Sequence, residues 1–200
     1  MELSQKKLFL LDLDGTIYLE ESLLPGAAEF LSWTRETGCA VRYLTNNSSR
    51  GVEAGLEKMR RLGIPARREE FLTAVEATVY YLQTRRKPSD VYYAVGTESF
   101  CRQLAEAGFH LRRTPDEDVT AVLCAFDTEL TYRKVEDACR LLSRGADFLA
   151  TNPDLACPTL FGYIPDCGSI CQLLLNSCGR RPVYSGKTDP TMIRLDGERR

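Results

Sequence analysis

Two carboxylates, Asp12 and Asp14, follow the apolar run Leu8-Phe9-Leu10-Leu11 and precede Gly15-Thr16. A continuous apolar run of this length reads as a strand buried on both faces, central in a parallel sheet. Side chains alternate along a strand, so Asp12 and Asp14 point the same way as far as the strand continues. Gly15 permits the sharp turn that ends it. The pair then sits at the carboxyl end of a strand, where open α/β sheets build their sites. Two acids this close stay ionised only with positive charge beside them. A hard divalent cation such as Mg²⁺, which takes oxygen ligands, supplies that charge. One carboxylate can then attack an electrophile while the other handles a proton. The plainer reading is a strand end whose acids cap a turn. The apolar strand before the pair and the Gly-Thr after it favour chemistry.

Two further stretches suit an anion. Thr45-Asn46-Asn47-Ser48-Ser49 follows the apolar segment Cys39 to Leu44 and precedes a helical pattern running from about Arg50 to Leu62. A loop at a strand's carboxyl end and a helix N-terminus presents free backbone N–H groups and the positive end of the helix dipole. Hydroxyl and amide side chains add donors, and a phosphate is the simplest occupant. One helix cap needs one such residue, whereas this loop has a whole run of them. Gly186-Lys187-Thr188-Asp189-Pro190 repeats the theme: a Gly turn after the strand Pro182 to Ser185, carrying a Lys suited to phosphate as a point charge. Taken alone, Lys187 reads as a solvated surface residue.

The elements that must position these residues alternate strand and helix. A helix from about Ala27 ends at Gly38 as its C-cap, the strand through Leu44 follows, and then the helix stopped by Gly63 and Pro65. Such a unit crosses over right-handed and sets neighbouring strands parallel. Past a helix over 74–86, Pro88-Ser89-Asp90 reads as a boundary. A second α/β rhythm begins there, with strands at 91–95, 119–125 and 146–150 and helices at 98–107 and 132–143. The expected division is 1–87 as a core module, 88–181 as an inserted α/β module, and 182–200 as a return to the core. His110 falls at a strand or loop edge and reads as structural.

Composition bounds the function. The chain has 200 residues and a formal net charge of -2, which gives no electrostatic footprint for nucleic acid. No apolar run reaches membrane-spanning length, and residues 1–7 lack a signal-peptide pattern, so the expected compartment is the cytoplasm. The eight cysteines contain no Cys-x-x-Cys pair. Reduced, mostly buried thiols are expected, with the loose group Cys157, Cys167, Cys171 and Cys178 too poorly spaced for zinc.

With these loops in order, the chain resembles the haloacid dehalogenase superfamily of phosphohydrolases, and within it the NagD-like and 4-nitrophenylphosphatase-like branch with a large α/β cap. The resemblance rests on Asp12-Leu13-Asp14-Gly15-Thr16, Leu44-Thr45-Asn46-Asn47-Ser48 and Gly186-Lys187-Thr188-Asp189-Pro190. It extends to Ala150-Thr151-Asn152-Pro153-Asp154 and Gly168-Ser169 in the cap; Pro165-Asp166-Cys167-Gly168 stands where the branch tends to have Pro-Gly-x-Gly. It implies a Rossmann-like parallel core with an inserted cap and Mg²⁺-dependent hydrolysis of small phosphorylated metabolites. Asp12 would be the nucleophile, forming an aspartyl-phosphate, and Asp14 the general acid and base. Thr45, Asn46 and Lys187 would bind the phosphoryl group, and the Asp12 carboxylate and Asp14 backbone carbonyl would bind Mg²⁺. Thr151, Asn152, Pro153 and Asp154, with the loop through Gly162, would set substrate preference.

The resemblance also implies a fourth motif, an acidic Gly-Asp about two dozen residues past Lys187 that completes the metal site. The sequence runs to Arg200, and Asp196 and Glu198 lie too close to Lys187 to replace it. The expectation is therefore a truncated product or a fragment of a longer protein. Its core sheet would be incomplete, with an open edge that invites a partner chain, a homo-oligomer included. Activity would be reduced; the alternative function is an impaired remnant that binds phosphate without turning it over.

Overall fold

The computed structural model describes residues 3–186, 194 and 197. It is an α/β fold with two separate parallel sheets, and the chain divides into two compact units. The first unit comprises residues 1–45, 52–72 and 157–164; the second comprises 46–51, 73–156 and 165–200.

In the first unit, β1 (Leu8–Asp12) is followed by the two-residue strands β2 (Tyr18–Leu19) and β3 (Ser22–Leu23), which form a small antiparallel hairpin. Helix α1 (Ala27–Glu36) then leads to β4 (Ala40–Thr45), helix α2 (Val52–Arg61) and β5 (Phe71–Thr73). The sheet order is β1-β4-β5, and β1 runs parallel to β4 with Asp12 opposite Leu44. Among the described residues β1 is thus an edge strand rather than the central one expected, and Leu10 is 43% exposed. Its apolar run is explained by the face it covers: Phe9 packs edge-on to Phe30 and Trp33 of α1, with ring centroids 5.3 and 5.8 Å away. Leu13, Tyr43, Met59, Ile64 and Phe71 form the interior. Gly38 follows α1 with φ +71, and its N–H bonds the Arg35 carbonyl, as its C-cap role requires. Gly55 interrupts α2, at a helix cost of about 1 kcal/mol relative to Ala, because a Cβ there would lie 2.9 Å from the Phe71 ring.

The second unit begins with helix α3 (Ala74–Arg85) and strand β6 (Val91–Val95), then helix α4 (Glu98–Glu106), strand β7 (His110–Arg112) and strand β8 (Ala121–Cys124). Helix α5 (Tyr132–Ser143) and strand β9 (Asp147–Ala150) follow. The hairpin β10 (Ala156–Thr159) and β11 (Gly162–Pro165), whose residues 157–164 belong to the first unit, precedes helix α6 (Cys167–Cys178) and strand β12 (Val183–Tyr184). The five-stranded sheet has the order β12-β9-β8-β6-β7, parallel at every pairing. Its middle strand β8 is buried at all four residues, as a parallel sheet covered on both faces demands. Threonines start three of its helices: Thr73 and Glu76 form a reciprocal capping box on α3, Thr97 caps α4 and Thr131 caps α5, while Asp166 caps α6.

The units are grouped differently from the division drawn on sequence. Helix α3 lies on the five-stranded sheet because Val75 and Leu82 pack with Tyr92, Phe100, Leu104 and Leu123. Strand β12, expected to return to the first module, pairs with β9. The turn at Pro88-Ser89-Asp90 joins two elements of one unit. No helix among the described residues is long and apolar enough to cross a membrane.

Tyr93 of β6 is buried, and its hydroxyl donates to Asp137 Oδ2 at 3.4 Å. Burial first, then the Asp137 charge, pushes its pKa up from 10.0 to about 12. A raised tyrosine pKa favours the neutral folded form. Its stabilising contribution is complete below pH 10 and is lost as pH climbs towards 12. The urea midpoint of the native chain is expected to fall more steeply over that window than that of Tyr93→Phe. Parallel curves would rule the linkage out.

Candidate active site

Each unit holds part of the predicted set. In the first, β1 ends at Asp12, and the chain turns at once. Gly15 N–H bonds the Tyr18 carbonyl at 2.8 Å, and Ile17 N–H bonds the Leu13 carbonyl at 2.9 Å. Leu13 is buried beneath the turn, while Asp12 and Asp14 on either side of it are half-buried. Gly15 has φ +82, a conformation that L side chains rarely adopt. Thr45 is the last residue of β4, one past the Leu44 that pairs with Asp12. The first unit therefore brings together Asp12, Asp14 and Thr45 at the carboxyl ends of adjacent parallel strands.

Three neighbours of the turn were not anticipated from sequence. Lys58 of α2 places Nζ 3.7 Å from Asp14 Oδ1 and 3.7 Å from the centroid of the Tyr18 ring. Glu20 has φ +46, and its Oε1 accepts a hydrogen bond from the Leu160 N–H at 2.9 Å. Pro158 lies 3.4 Å from where a Cβ on Gly15 would stand. The tip of the β10–β11 hairpin is thereby tied to the loop carrying the two aspartates. Leu160, Phe161 and Tyr163 remain largely exposed. Nothing in the local pattern separates Lys58 from an ordinary solvated helix lysine, and Glu20 acts through a segment some 140 residues away in the chain.

The donor set fits a hard cation. Asp12 and Asp14 flank one tight turn, both act on Tyr18, and what they offer is carboxylate oxygen. Their field registers on Tyr18, whose phenol pKa is pushed up first by burial, then by the charges of Asp14, Asp12 and Glu21. Oxygen donors with concentrated negative potential are what Mg²⁺ requires.

The second unit holds the rest. Asn152 donates from Nδ2 to the Asn46 carbonyl at 2.8 Å, and Asn46 Nδ2 donates to Asp154 Oδ2 at 2.8 Å. Ser48 and Thr151 share a hydroxyl–hydroxyl bond of 3.0 Å, and Ser48 Oγ accepts from Phe126 N–H at 2.9 Å. Ser49 donates to Asn47 Oδ1, and its carbonyl accepts from the Thr97 hydroxyl. The polar run after β4 therefore lies over the carboxyl ends of β6, β8 and β9. Strand order reverses between β6 and β8, the switch point where parallel sheets place ligands. Much of the run is structural: Asn47, Ser48 and Ser49 use their side chains to hold the loop.

Thr151 and Asn152 are wholly buried, whereas Pro153 and Asp154 are half-buried. Two glycines clamp this turn. A Cβ on Gly168 would lie 2.2 Å from the Pro153 carbonyl oxygen, and one on Gly186 would lie 2.1 Å from that of Thr151 and 3.2 Å from Asn46 Oδ1. Gly186 thus brings the chain past Asn46 immediately before Lys187. Lys187 itself, with Thr188, Asp189, Asp196 and Glu198, lies outside the described residues.

The chain has relatives of known fold and family. Residues 9–110 match the family model of haloacid dehalogenase-like hydrolases. The chain is similar to the acid sugar phosphatase of Staphylococcus aureus, at 34% identity over 191 residues, covering 96% of this chain and 73% of the relative. Among solved structures it resembles a 4-nitrophenylphosphatase from Thermotoga maritima, with a TM-score of 0.89 and 34% identity, over 98% of this chain and 74% of that one. It also resembles a glycerol phosphate phosphatase from Mycobacterium tuberculosis solved with magnesium. That match has a TM-score of 0.89 and 26% identity, over 100% of this chain and 60% of that one.

The glycine clamp is testable by stability. Gly168→Ala and Gly186→Ala each push a Cβ into backbone that cannot swing away. Each is expected to cost about 1–3 kcal/mol in urea unfolding. Gly51→Ala meets only the flexible Gln103 side chain, at 3.2 Å, and is expected to change stability by less than about 0.5 kcal/mol. Equal effects at the three sites would contradict the clamp.

Proposed function

This chain belongs to the haloacid dehalogenase-like hydrolases, in the NagD and 4-nitrophenylphosphatase branch, and from that premise we propose that it hydrolyses phosphate monoesters of small metabolites, with Asp12 as nucleophile. The observation that carries this reading is the pair Asp12 and Asp14 on a tight turn at the end of β1, with Thr45 at the end of the adjoining strand.

An Asp12 oxygen attacks phosphorus, and the ester oxygen leaves with a proton from the Asp14 carboxyl. The resulting acyl phosphate is then opened by water, whose proton passes to Asp14, and Asp12 is regenerated. A covalent step divides one hard displacement into two easier ones. The Thr45 hydroxyl and the Asn46 backbone N–H donate to the phosphoryl oxygens, and the Lys187 ammonium offsets their charge. Phosphoryl transfer depends mainly on such positioning and charge stabilisation. The Asp12 carboxylate and the Asp14 carbonyl would hold Mg²⁺. When bound, the ion neutralises the repulsion between phosphate and carboxylate that would otherwise oppose attack. Lys58 orients the Asp14 carboxylate from the Tyr18 side.

Substrate preference is assigned to the half-buried Pro153 and Asp154 of the second unit, which follow the buried Thr151 and Asn152. The names of the relatives put sugar and polyol phosphates first among the candidates.

Turnover of 4-nitrophenyl phosphate with Mg²⁺ tests the reading. Asp12→Asn is expected to abolish it. Asp14→Asn is expected to slow it by roughly 10²–10⁴-fold, the usual weight of general acid–base catalysis. Chelation should remove activity and Mg²⁺ restore it. Activity that survives Asp12→Asn would sink the mechanism. Binding of inorganic phosphate with no turnover in the unsubstituted chain would leave a phosphate-binding protein instead. Lys58→Met is expected to lower kcat with little change in KM, and Lys58→Arg to recover part of the loss.

A further inference from the structure

Three thiols that the phosphatase reading does not use meet inside the second unit. Cys124 closes β8. Cys167 and Cys171 lie one turn apart on α6, a spacing that stacks side chains on one helix face. The three sulfurs all lie within 4.8 Å of one another, and the residues are 0%, 0% and 1% exposed. Sequence spacing concealed the group, because Cys124 belongs to a different element from the other two.

The geometry selects a class of ligand. Three sulfurs bound about 2.3 Å from a central ion lie about 4 Å apart in a trigonal plane, within the observed limit. Among the described residues no other His, Cys, Asp or Glu joins the group. Structural zinc closes its shell with four protein ligands, and Mg²⁺ and Ca²⁺ require oxygen. Thiolates without oxygen partners favour soft ions such as Cu(I).

Hydrogen bonds fix the orientation of one of these thiols. The Thr151 hydroxyl donates to Cys167 Sγ at 3.5 Å. The Cys167 thiol in turn donates to the Cys124 carbonyl at 3.5 Å. The alternative is that the three side chains merely fill the interior as small apolar groups.

We propose that Cys124, Cys167 and Cys171 form a buried three-sulfur site for one soft d¹⁰ ion of the Cu(I) type. Binding replaces the thiol protons of the ligating cysteines with metal–sulfur bonds, and the ion enters through local opening of the fold.

The test is anaerobic titration of the reduced, full chain with Cu(I) against a competing chelator. One tight equivalent is expected, with sulfur-to-copper charge-transfer absorption and a rise in Tm. Cys167→Ser and Cys171→Val should each weaken that equivalent by about 100-fold or more. Cys171→Val replaces the thiol with an apolar group of similar size, and its circular dichroism without metal should match the native chain. The double variant Cys39→Ser/Cys157→Ser, at half-buried positions away from the trio, should keep the equivalent. Absence of a tight equivalent in the native chain overturns the proposal. So does its persistence in both Cys167→Ser and Cys171→Val, or its loss in the double variant. Zn(II) bound as tightly as Cu(I) would also overturn the assignment to a soft, three-ligand site.

Discussion

The bond from Asn152 Nδ2 to the Asn46 carbonyl, 2.8 Å long, is the constraint on which the second unit's working end depends. Parallel strands finish at one edge of a sheet, and their last carbonyls must find donors outside the ladder. Here those partners come from distant chain segments. Thr151 N–H bonds the Cys124 carbonyl, Ser185 N–H bonds the Ala150 carbonyl, and Asn152 closes onto the loop after β4. Because Asn152 and Thr151 are fully buried, losing any partner would leave a polar group unsatisfied at a cost of about 1–3 kcal/mol. The polar run Asn46 to Ser49 is therefore held as part of the sheet's edge.

That constraint explains the glycines. Gly168 and Gly186 stand where backbone passes backbone at distances no side chain permits. The same closeness lets a short turn collect groups that follow β6, β8, β9 and β12 around the run Asn46 to Ser49. A loop with a free N-terminal helix end would need none of this. The clustering of Asn and Ser after β4 serves anchoring as well as any anion.

Much of this was legible in sequence because it is local. The apolar strand before Asp12, the alternation of strands and helices, the Thr73-Glu76 box and the C-cap at Gly38 each depend on a few neighbouring residues. The edge position of β1 was not legible, since a run that packs one face on Phe30 and Trp33 has the same composition as one buried on both. The grouping of α3 and β12 with the five-stranded sheet was equally hidden. It is decided by side chains such as Val75 and Leu82 meeting partners far along the chain. The Asp12-Asp14 motif was read from its residues, but Lys58 and Glu20 depend on which helix and which hairpin reach the turn, and no spacing rule encodes that.

The two proposed ion sites differ in hardness, and this difference would keep them from competing. The turn after β1 offers the half-buried carboxylates of Asp12 and Asp14, donors that would hold Mg²⁺ weakly enough for it to keep water. The thiols of Cys124, Cys167 and Cys171 offer polarisable sulfur in a fully buried setting, where a hydrated hard ion would lose its water and gain no oxygen in return. A soft ion gains little from the aspartates and much from the sulfurs. Thr151 links the sulfur group to the proposed substrate turn: its hydroxyl contacts both Ser48 and Cys167. An ion on the sulfurs would draw Cys167 away from that hydroxyl and bear on the same hydrogen bonds that hold Asn46 and Asp154 in place.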